Sequence, residues 1–456
     1  MQAGFYKVDL TPRVGVELCG FGPYLQRRSL GVRDRLWARA LAVSAGGRTL
    51  VLVSNDLIGV NLDLTRRVRE LVGRATGLAP EALLVHCTHT HSGPNTDRHL
   101  YGWGVLDDPY LEILPQRIAA ACLGALSRRQ EATLSHAEVP CEGIALNREY
   151  DRDAPPLEEV LRDDWRPAHP ERTDTTCHVL KLEAAGRVLG FLSYFGCHPV
   201  VCCEETRLIH GDYAGVATNW IEREHPGAVG LFLQGAHGDV NTCVVHKPEA
   251  QALPALDVVA GRYARAVRQG LAEAQPIPAE RLACVRQEVT FRRLPLTETE
   301  LESRLAAQEA ILQAPAASDE TPAVRMATVY ALALRRVLDR LRAGQPVAQP
   351  TEVQGFRLGP LALLGSPFEI FQEIKNEVRE KAGAPLPLVA SLCNDALGYA
   401  TDRTVTARGG YAAEMAPLMQ GSLPYQDIHG ELVSALLALD HALSDEYEQG
   451  DECAGS

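Results

Sequence analysis

The spacing of apolar and polar residues along the chain predicts strands that alternate with helices. Residues 36–45 and 49–58 are apolar runs joined by Gly46-Gly47, a pattern typical of two strands connected by a turn. Further short apolar runs predict strands over 82–85, 177–183, 188–195, 229–233 and 386–392. Apolar residues at helical spacing predict helices over 61–77, 110–129, 256–274 and 430–447. This alternation is typical of an α/β protein.

Residues 297–344 differ from the other helical regions because prolines interrupt them. Residues 297–344 predict a helical hairpin that is broken near Pro315 and Pro322. The apolar residues of its second half suit core packing better than a lid over a site. The chain shows no internal repeat and no long linker. We therefore expect one large α/β domain over 1–447, with mixed β-sheets flanked by helices, and an acidic disordered tail over 448–456.

Composition narrows the class of protein. The contents of 46% hydrophobic and 23% charged residues are ordinary for a soluble globular protein. A net charge of −13 without a cluster of lysine or arginine argues against binding to nucleic acid or to an anionic membrane. The sequence contains no transmembrane segment and starts without a signal-peptide pattern, which favours a cytoplasmic protein unless an export segment has been removed. The 12 cysteines include no Cys-x-x-Cys pair, so we expect them to be reduced.

The candidate chemistry is concentrated in one stretch, His86-Cys-Thr-His89-Thr-His91, directly after a predicted strand. Side chains alternate faces along a strand, so His89 and His91 would project to the same side if the strand continues that far. One imidazole could then bind a metal while the other exchanges a proton with substrate, since neutral imidazole serves both roles. The alternative is a set of loop histidines that hydrogen-bond to the backbone.

Polar residues follow other predicted strands in the same way. His198 lies in Gly196-Cys-His-Pro199, after the apolar run 188–195. The run 229–233 leads into a glycine-rich loop over 234–242, where the backbone can approach a ligand closely. Because ligands gather at strand ends in α/β folds, these segments are further candidates for a site.

The order of these motifs resembles the neutral/alkaline non-lysosomal ceramidase family. The resemblance extends from about residue 9 to residue 411 and is carried by short motifs rather than by continuous identity. The motifs are His89-Thr-His-Ser-Gly-Pro, Leu-Asn-Arg148, Gly-Cys-His198-Pro, Gly-Asp239-Val, Ser-Pro-Phe-Glu369, Gly-Tyr399 and Gly-Tyr411. Members of this family are zinc amidases that cleave the N-acyl bond of ceramide. The resemblance implies their catalytic domain without the C-terminal immunoglobulin-like domain.

The resemblance also implies a role for each matching residue. The implied zinc ligands are His89, His198, Glu369 and Tyr399. His91 falls on a catalytic histidine, Arg148 and Tyr411 on residues near the scissile amide, and Asp239 on the Gly-Asp-Val loop. One position departs from the family, because Asn241 stands where the ceramidases have a serine. A serine nucleophile is therefore absent there, and Asn241 is left as a hydrogen-bond donor.

A mechanism without the serine still follows from these residues. A bound Zn²⁺ ion would activate water, and His91 would act first as general base and then as acid to the departing amine. Arg148 or Tyr411 would stabilise the oxyanion by about 3 kcal/mol. The sequence thus predicts a zinc-dependent hydrolase of a linear amide bond in a small-molecule N-acyl substrate, ceramidase-like but with a substrate other than ceramide.

Several alternatives stay open from sequence alone. The same residues suit a metal-dependent esterase or lactonase, and a non-catalytic binding protein on the same fold is a third hypothesis. Taken singly, Glu369 could cap the helix that follows it, Tyr399 could be an ordinary strand residue, and Arg148 could form a surface ion pair. The sequence leaves open a different divalent metal and a homo-oligomer.

Overall fold

The fold consists of three main sheets with helices on their outer faces. The computed structural model describes residues 1–98, 100, 102–151 and 155–449. The strands are β1 (Gln2–Asp9), β2 (Gly31–Val32), β3 (Trp37–Ala45), β4 (Arg48–Asn55), β5 (Leu83–Cys87), β6 (Gln130–Glu131), β7 (Thr133–Pro140), β8 (Ala145–Asn147), β9 (Thr176–Ala184), β10 (Arg187–Phe195), β11 (Leu208–Ile209), β12 (Val229–Gln234), β13 (Val240–Thr242), β14 (Gln275–Pro276), β15 (Leu282–Val289), β16 (Thr351–Leu358), β17 (Leu361–Gly365), β18 (Glu369–Ile370), β19 (Leu386–Ala390) and β20 (Tyr399–Ala400). The helices are α1 (Leu62–Thr76), α2 (Asp108–Ser127), α3 (Leu157–Val160), α4 (Asp212–Glu224), α5 (Glu249–Glu273), α6 (Glu298–Leu312), α7 (Pro322–Arg342), α8 (Gln372–Lys381), α9 (Arg403–Arg408), α10 (Ala416–Met419) and α11 (Ile428–Gln449).

Each main sheet mixes parallel and antiparallel strands. The strand orders are β5-β4-β3-β1-β6, β12-β10-β9-β7-β14 and β15-β16-β17-β19. Within them β4 and β5, β10 and β12, and β17 and β19 run parallel, whereas the other pairs are antiparallel. The turn between β3 and β4 uses Gly46 and Gly47 at φ of 56° and 77°, a conformation that glycine adopts without strain. The predicted strand pair is confirmed.

The three sheets meet in a shared leucine-rich core. Leu52 of the first sheet, Leu192 of the second and Leu363 of the third belong to one buried cluster. Helix α2 packs on the first sheet, α4 and α5 on the second, and α8 and α11 on the third. Each helix therefore covers a face that the other sheets leave open, which makes one α/β domain with mixed sheets, as predicted.

Local sequence signals set both ends of α1 and the start of α6. Helix α1 begins after Asn61, whose side chain accepts a hydrogen bond from the Leu64 amide, and ends at Gly77 in the left-handed region at φ of 75°. The helical hairpin is present as α6 and α7, and Thr297 with Glu300 forms a capping box at the start of α6. Helix α7 packs against α10 through a small apolar cluster, so core packing is one of its roles.

Several expectations are corrected by the structure. Strand β5 ends at Cys87, and His89 has a left-handed backbone at φ of 70°, so strand alternation does not place His89 beside His91. Glu369 lies on the short strand β18 rather than at the start of a helix, because α8 begins only at Gln372. Helix α5 begins at Glu249, seven residues earlier than predicted.

The last helix extends into the predicted tail. Helix α11 continues to Gln449, two residues into the predicted tail, and residues 450–456 lie outside the described part of the chain. Among the described residues, every helix is too short or too polar to cross a membrane. The cytoplasmic location and the homo-oligomer stay predictions.

Candidate metal and catalytic site

Four buried side chains from distant parts of the chain converge on one point. They are His89, His198, His237 and Glu369, and their ligand atoms all lie within 4.8 Å of one another. The three histidines follow the carboxyl ends of β5, β10 and β12, and each of these strands has a parallel neighbour. Strands β10 and β12 are parallel neighbours in one sheet, so the loops that carry His198 and His237 leave it at the same edge. Strand β5 belongs to another sheet, which contacts β12 and so brings the loop of His89 to the same place.

Backbone carbonyl groups fix the orientation of the three imidazole rings. The Nδ1 atoms of His89, His198 and His237 lie 2.6, 2.6 and 3.1 Å from the carbonyl oxygens of Ile58, His237 and Gly235 respectively. A carbonyl oxygen can only accept, so each Nδ1 carries the proton and donates it. Each Nε2 is therefore left with a lone pair, the arrangement found when a backbone carbonyl group orients a metal-binding histidine.

The Glu369 carboxylate lies at the centre of these three rings. Its Oε2 atom is 3.0 Å from His198 Nε2, 3.4 Å from His89 Nε2 and 4.0 Å from His237 Nε2. Four tetrahedral ligands at about 2.0–2.1 Å from one Zn²⁺ ion would lie roughly 3.3 Å from one another. The spacing and the nitrogen and oxygen donor set therefore fit a borderline-soft divalent cation.

Electrostatics keep the donor atoms in the protonation states that a metal requires. Burial alone would raise the pKa of Glu369, but the neighbouring imidazoles of His89 and His198 hold it well below its ordinary value. Burial lowers the pKa of His198 to about 4 and that of His237 well below its ordinary value. The site thus presents an ionised Glu369 carboxylate and neutral imidazoles of His198 and His237 at neutral pH, as metal binding needs.

His91 lies beside this group without belonging to it. Its ring centroid is 4.7 Å from that of His89, and its Nδ1 lies 2.9 Å from the Gly20 carbonyl oxygen. A Cβ atom at residue 20 would lie 2.3 Å from His91 Nδ1, so only glycine permits this contact. Among the described residues, His91 Nε2 is buried without a hydrogen-bond partner. Burial lowers the pKa of His91 well below its ordinary value, so the ring is neutral and its Nε2 carries a lone pair.

The predicted tyrosines and arginine form one wall of the same site. Tyr399 is the register partner of Glu369 in the parallel pair of β18 and β20. The guanidinium carbon of Arg148 lies 5.1 Å from the centre of the Tyr399 ring, and the Tyr411 ring lies 6.0 Å from it. Tyr411 is 44% exposed, so it stands at the rim. A pocket of about 90 Å³ is lined by residues that include His89, His91, Glu369, Tyr399 and Tyr411.

Asp239 and Asn241 lie next to the site in a different relation to it. The two carboxylate oxygens of Asp239 accept hydrogen bonds from the Gln372 amide at 2.9 Å and from Asn147 Nδ2 at 2.8 Å. Through these contacts Asp239 connects its own loop to β8 and to the start of α8. Asn241 lies on β13 opposite Leu146 and is not among the described residues that line the pocket.

Sequence reasoning missed His237 as a site residue. It was only part of a glycine-rich loop, because no motif spacing marks it. The signal that could have found it is its position directly after a buried strand, which it shares with His89 and His198.

Comparison with known proteins gives the family of the chain and agrees with its fold. A model of the neutral/alkaline non-lysosomal ceramidase N-terminal region matches residues 1–249, and the chain belongs to this family. The matched part contains the four histidines described above and ends before Glu369, Tyr399 and Tyr411. The family match therefore does not bear on those three residues, whose roles stay predictions.

The individual relatives are distant. The neutral ceramidase of Pseudomonas aeruginosa is 26% identical over 261 residues, covering 54% of this chain and 37% of the relative. The neutral ceramidase of Mycobacterium tuberculosis is 25% identical over 253 residues, covering 49% and 37%. The alignments thus span well under half the length of these relatives.

Solved structures extend the comparison to nearly the whole chain. The crystal structure of the Pseudomonas aeruginosa neutral ceramidase matches with a TM-score of 0.72 at 21% identity, covering 97% of this chain and 75% of that one. A ceramidase complexed with C2 matches with a TM-score of 0.71 at 20% identity and the same coverage. These matches establish the shared fold.

Proposed function

We propose that this protein is a zinc-dependent hydrolase that cleaves a linear N-acyl amide bond in a small-molecule substrate. The observation that carries the proposal is the convergence of imidazole Nε2 atoms on the ionised Glu369 carboxylate, with the neutral His91 beside them. Membership of the ceramidase family supports the amide bond as the target.

The metal would be held by residues that the sequence already suggested. His89, His198 and Glu369 would be the strong ligands and Tyr399 a weaker one, whose hydroxyl could instead donate a hydrogen bond to substrate. When bound, zinc acts as a Lewis acid and lowers the pKa of water to about 7, which provides a nucleophile at neutral pH. Thus Asn241 in place of a serine does not prevent hydrolysis.

The remaining side chains handle the proton and the developing charge. His91 Nε2 takes the proton from the attacking water and later returns it to the leaving nitrogen, with Nδ1 held by the Gly20 carbonyl throughout. Arg148 and Tyr411 donate hydrogen bonds to the oxyanion, and one such donor contributes about 3 kcal/mol. Asp239 supports them by fixing the loop that precedes β13.

The size of the pocket bears on the substrate. Its volume of about 90 Å³ is small beside the ~300–1,000 Å³ typical of pockets for drug-sized ligands. Trp103 and Met419 are among the side chains that close it. A long-chain lipid would require these walls to move, whereas a short acyl group would not. The geometry therefore supports an N-acyl substrate smaller than ceramide.

Metal content and hydrolysis measured together test the proposal. The wild-type protein should hold about one zinc ion per chain and hydrolyse members of a panel of N-acyl amides, with activity lost on chelation and restored by zinc. His89→Ala and His198→Ala should lose both metal and activity, whereas His441→Ala, at an exposed histidine on α11, should lose neither. Faster turnover of matched esters would favour an esterase or lactonase. Zinc without turnover of either class would favour a binding protein, and wild type without metal would contradict the proposal.

A further inference from the structure

His237 has an environment that an ordinary core histidine does not have. It is fully buried, and its ring centroid lies 4.5 Å from that of His198 and 5.0 Å from that of His89. Its Nε2 atom is buried and, among the described residues, has no hydrogen-bond partner. A buried polar atom without a partner is uncommon in a folded protein and costs free energy.

The position of the proton on His237 leaves its Nε2 lone pair facing the Glu369 carboxylate, which costs free energy unless a cation lies between them. Nδ1 faces the Gly235 carbonyl oxygen and must carry the proton. The Nε2 lone pair therefore points into a group that contains the Glu369 carboxylate, whose Oε2 is 4.0 Å away. Two acceptors that face each other in a dry interior repel, and a cation between them would reverse the sign of that interaction.

His91 and His237 differ in their position relative to the pocket. His91 also has a buried, unpartnered Nε2, but it lines the pocket and can contact a bound molecule there. His237 is not among the described residues that line the pocket. Its Nε2 belongs instead to the group of ligand atoms that lie within 4.8 Å of one another, so a metal ion held by His89 and Glu369 would reach it.

The loop that carries His237 is fixed against the strand that carries Glu369. The Gly238 amide donates to the Ile370 carbonyl oxygen at 2.8 Å, and the Gln372 amide donates to Asp239 Oδ1 at 2.9 Å. The Gln372 side chain also donates to the Ala236 carbonyl oxygen. These bonds flank His237 on both sides and hold its ring in place before any metal binds.

We propose that His237 is a direct metal ligand, so that the centre contains three imidazoles and one carboxylate. This inference rests on the proposed metal site. It adds a third nitrogen to the two that the family resemblance implies. With His237 as a ligand, the centre would keep four protein ligands even without Tyr399. A set of three nitrogens and one oxygen favours zinc, iron or nickel over magnesium or calcium.

The test compares His237→Gln with His91→Gln, the same substitution in the neighbouring ring, and with His89→Ala as a reference. Each full-length variant is stripped of metal, checked for folding by circular dichroism and thermal melting, and titrated with zinc against a chromophoric chelator. X-ray absorption of the zinc-loaded proteins then counts imidazole ligands. Loss of a residue that only hydrogen-bonds to a metal ligand already lowers metal affinity by about 10- to 100-fold, so His237→Gln should weaken zinc binding by roughly 100-fold or more.

The expected pattern is a count of three imidazoles in wild type and in His91→Gln, and two in His237→Gln. A folded His237→Gln that binds zinc with wild-type affinity and an unchanged imidazole count would overturn the inference. If zinc is lost from His89→Ala at the same time, the proposed metal site itself stands. A wild type that binds no zinc would instead remove the proposed function.

Discussion

Glu369 and Tyr399 are register partners in the two-stranded parallel pair of β18 and β20. The Glu369 amide donates to the Gly398 carbonyl oxygen at 2.8 Å, and this backbone hydrogen bond holds the two strands together next to the site. The carboxylate that faces the imidazoles and the phenol that faces the pocket are thus positioned by one short ladder. Arg148 lies against the Tyr399 ring and completes that wall.

This pairing predicts separate consequences for metal binding and for turnover in Tyr399→Phe. Burial and the adjacent charge of Glu369 raise the pKa of Tyr399 to about 12, so its hydroxyl keeps its proton and can donate to substrate. Loss of one such donor should lower kcat by about 10²–10³-fold. Zinc content should stay near one per chain, because three imidazoles and Glu369 remain.

Turnover of an N-acyl amide and zinc content by elemental analysis check this prediction. Tyr330→Phe is the matched control, since Tyr330 packs in the same small cluster from α7 and should change neither value. Loss of zinc from Tyr399→Phe would show instead that the tyrosine is an essential ligand.

The contrast between β18 and the helices shows what the sequence could predict. Helix α1 was predictable because its signals are local, an asparagine cap at one end and a left-handed glycine at the other. Glu369 was expected at a helix start, yet its position depends on pairing with a strand thirty residues away. His237 carries no local signal at all, since its significance arises only where β5, β10 and β12 end together. Periodicity predicts elements, whereas sites depend on how those elements pack.

His91→Asn tests the proton-transfer role. The variant keeps a polar side chain but cannot take up a proton near neutral pH, so kcat should fall by about 10²–10⁴-fold while zinc remains bound. Gly20→Ala should also lower kcat. Its Cβ atom would lie 2.3 Å from His91 Nδ1, so the His91 ring would have to move. Steady-state kinetics with zinc analysis on both variants provides the check. Full activity in His91→Asn would assign the proton transfer to another group.

Gly238→Ala tests whether the loop of His237 must approach β18 closely. A Cβ atom there would lie 2.4 Å from the Glu369 carbonyl oxygen and 2.8 Å from the Phe371 ring, so the loop has to move away. We expect a loss of about 1–3 kcal/mol in unfolding free energy, typical of overpacking, and weaker zinc binding.

The matched control for that variant is Gly261→Ala in α5, where the new Cβ has no neighbour within 4 Å. That change should leave zinc binding intact and stabilise the helix by up to about 1 kcal/mol. Urea unfolding and zinc titration distinguish the two variants. Equal effects at both positions would show that the tight contact at Gly238 is unimportant.

His86 should make the stability of the metal-free protein depend on pH. The Ser54 hydroxyl donates its proton to the Phe232 carbonyl oxygen, so Ser54 Oγ accepts a hydrogen bond from His86 Nδ1 at 2.9 Å. His86 Nε2 accepts a hydrogen bond from the Gln234 amide at 3.0 Å. The ring is therefore neutral in the folded protein. Burial lowers the pKa of His86 to about 3, whereas an unfolded histidine titrates near 6.5.

The sign of the effect follows from these two pKa values. As pH falls below 6.5 the unfolded chain binds a proton that the folded protein does not, so this contribution is fully present above pH 6.5 and is lost toward pH 3. Between pH 7 and pH 5 the loss due to His86 should be about 2 kcal/mol. His86→Gln can keep both hydrogen bonds and does not titrate. We would measure the free energy of unfolding in urea with a chelator present. Between pH 7 and pH 5, His86→Gln should lose about 2 kcal/mol less of this free energy than wild type, whereas His441→Gln should lose as much as wild type. Parallel stability curves for His86→Gln and wild type would mean that the buried ring titrates normally.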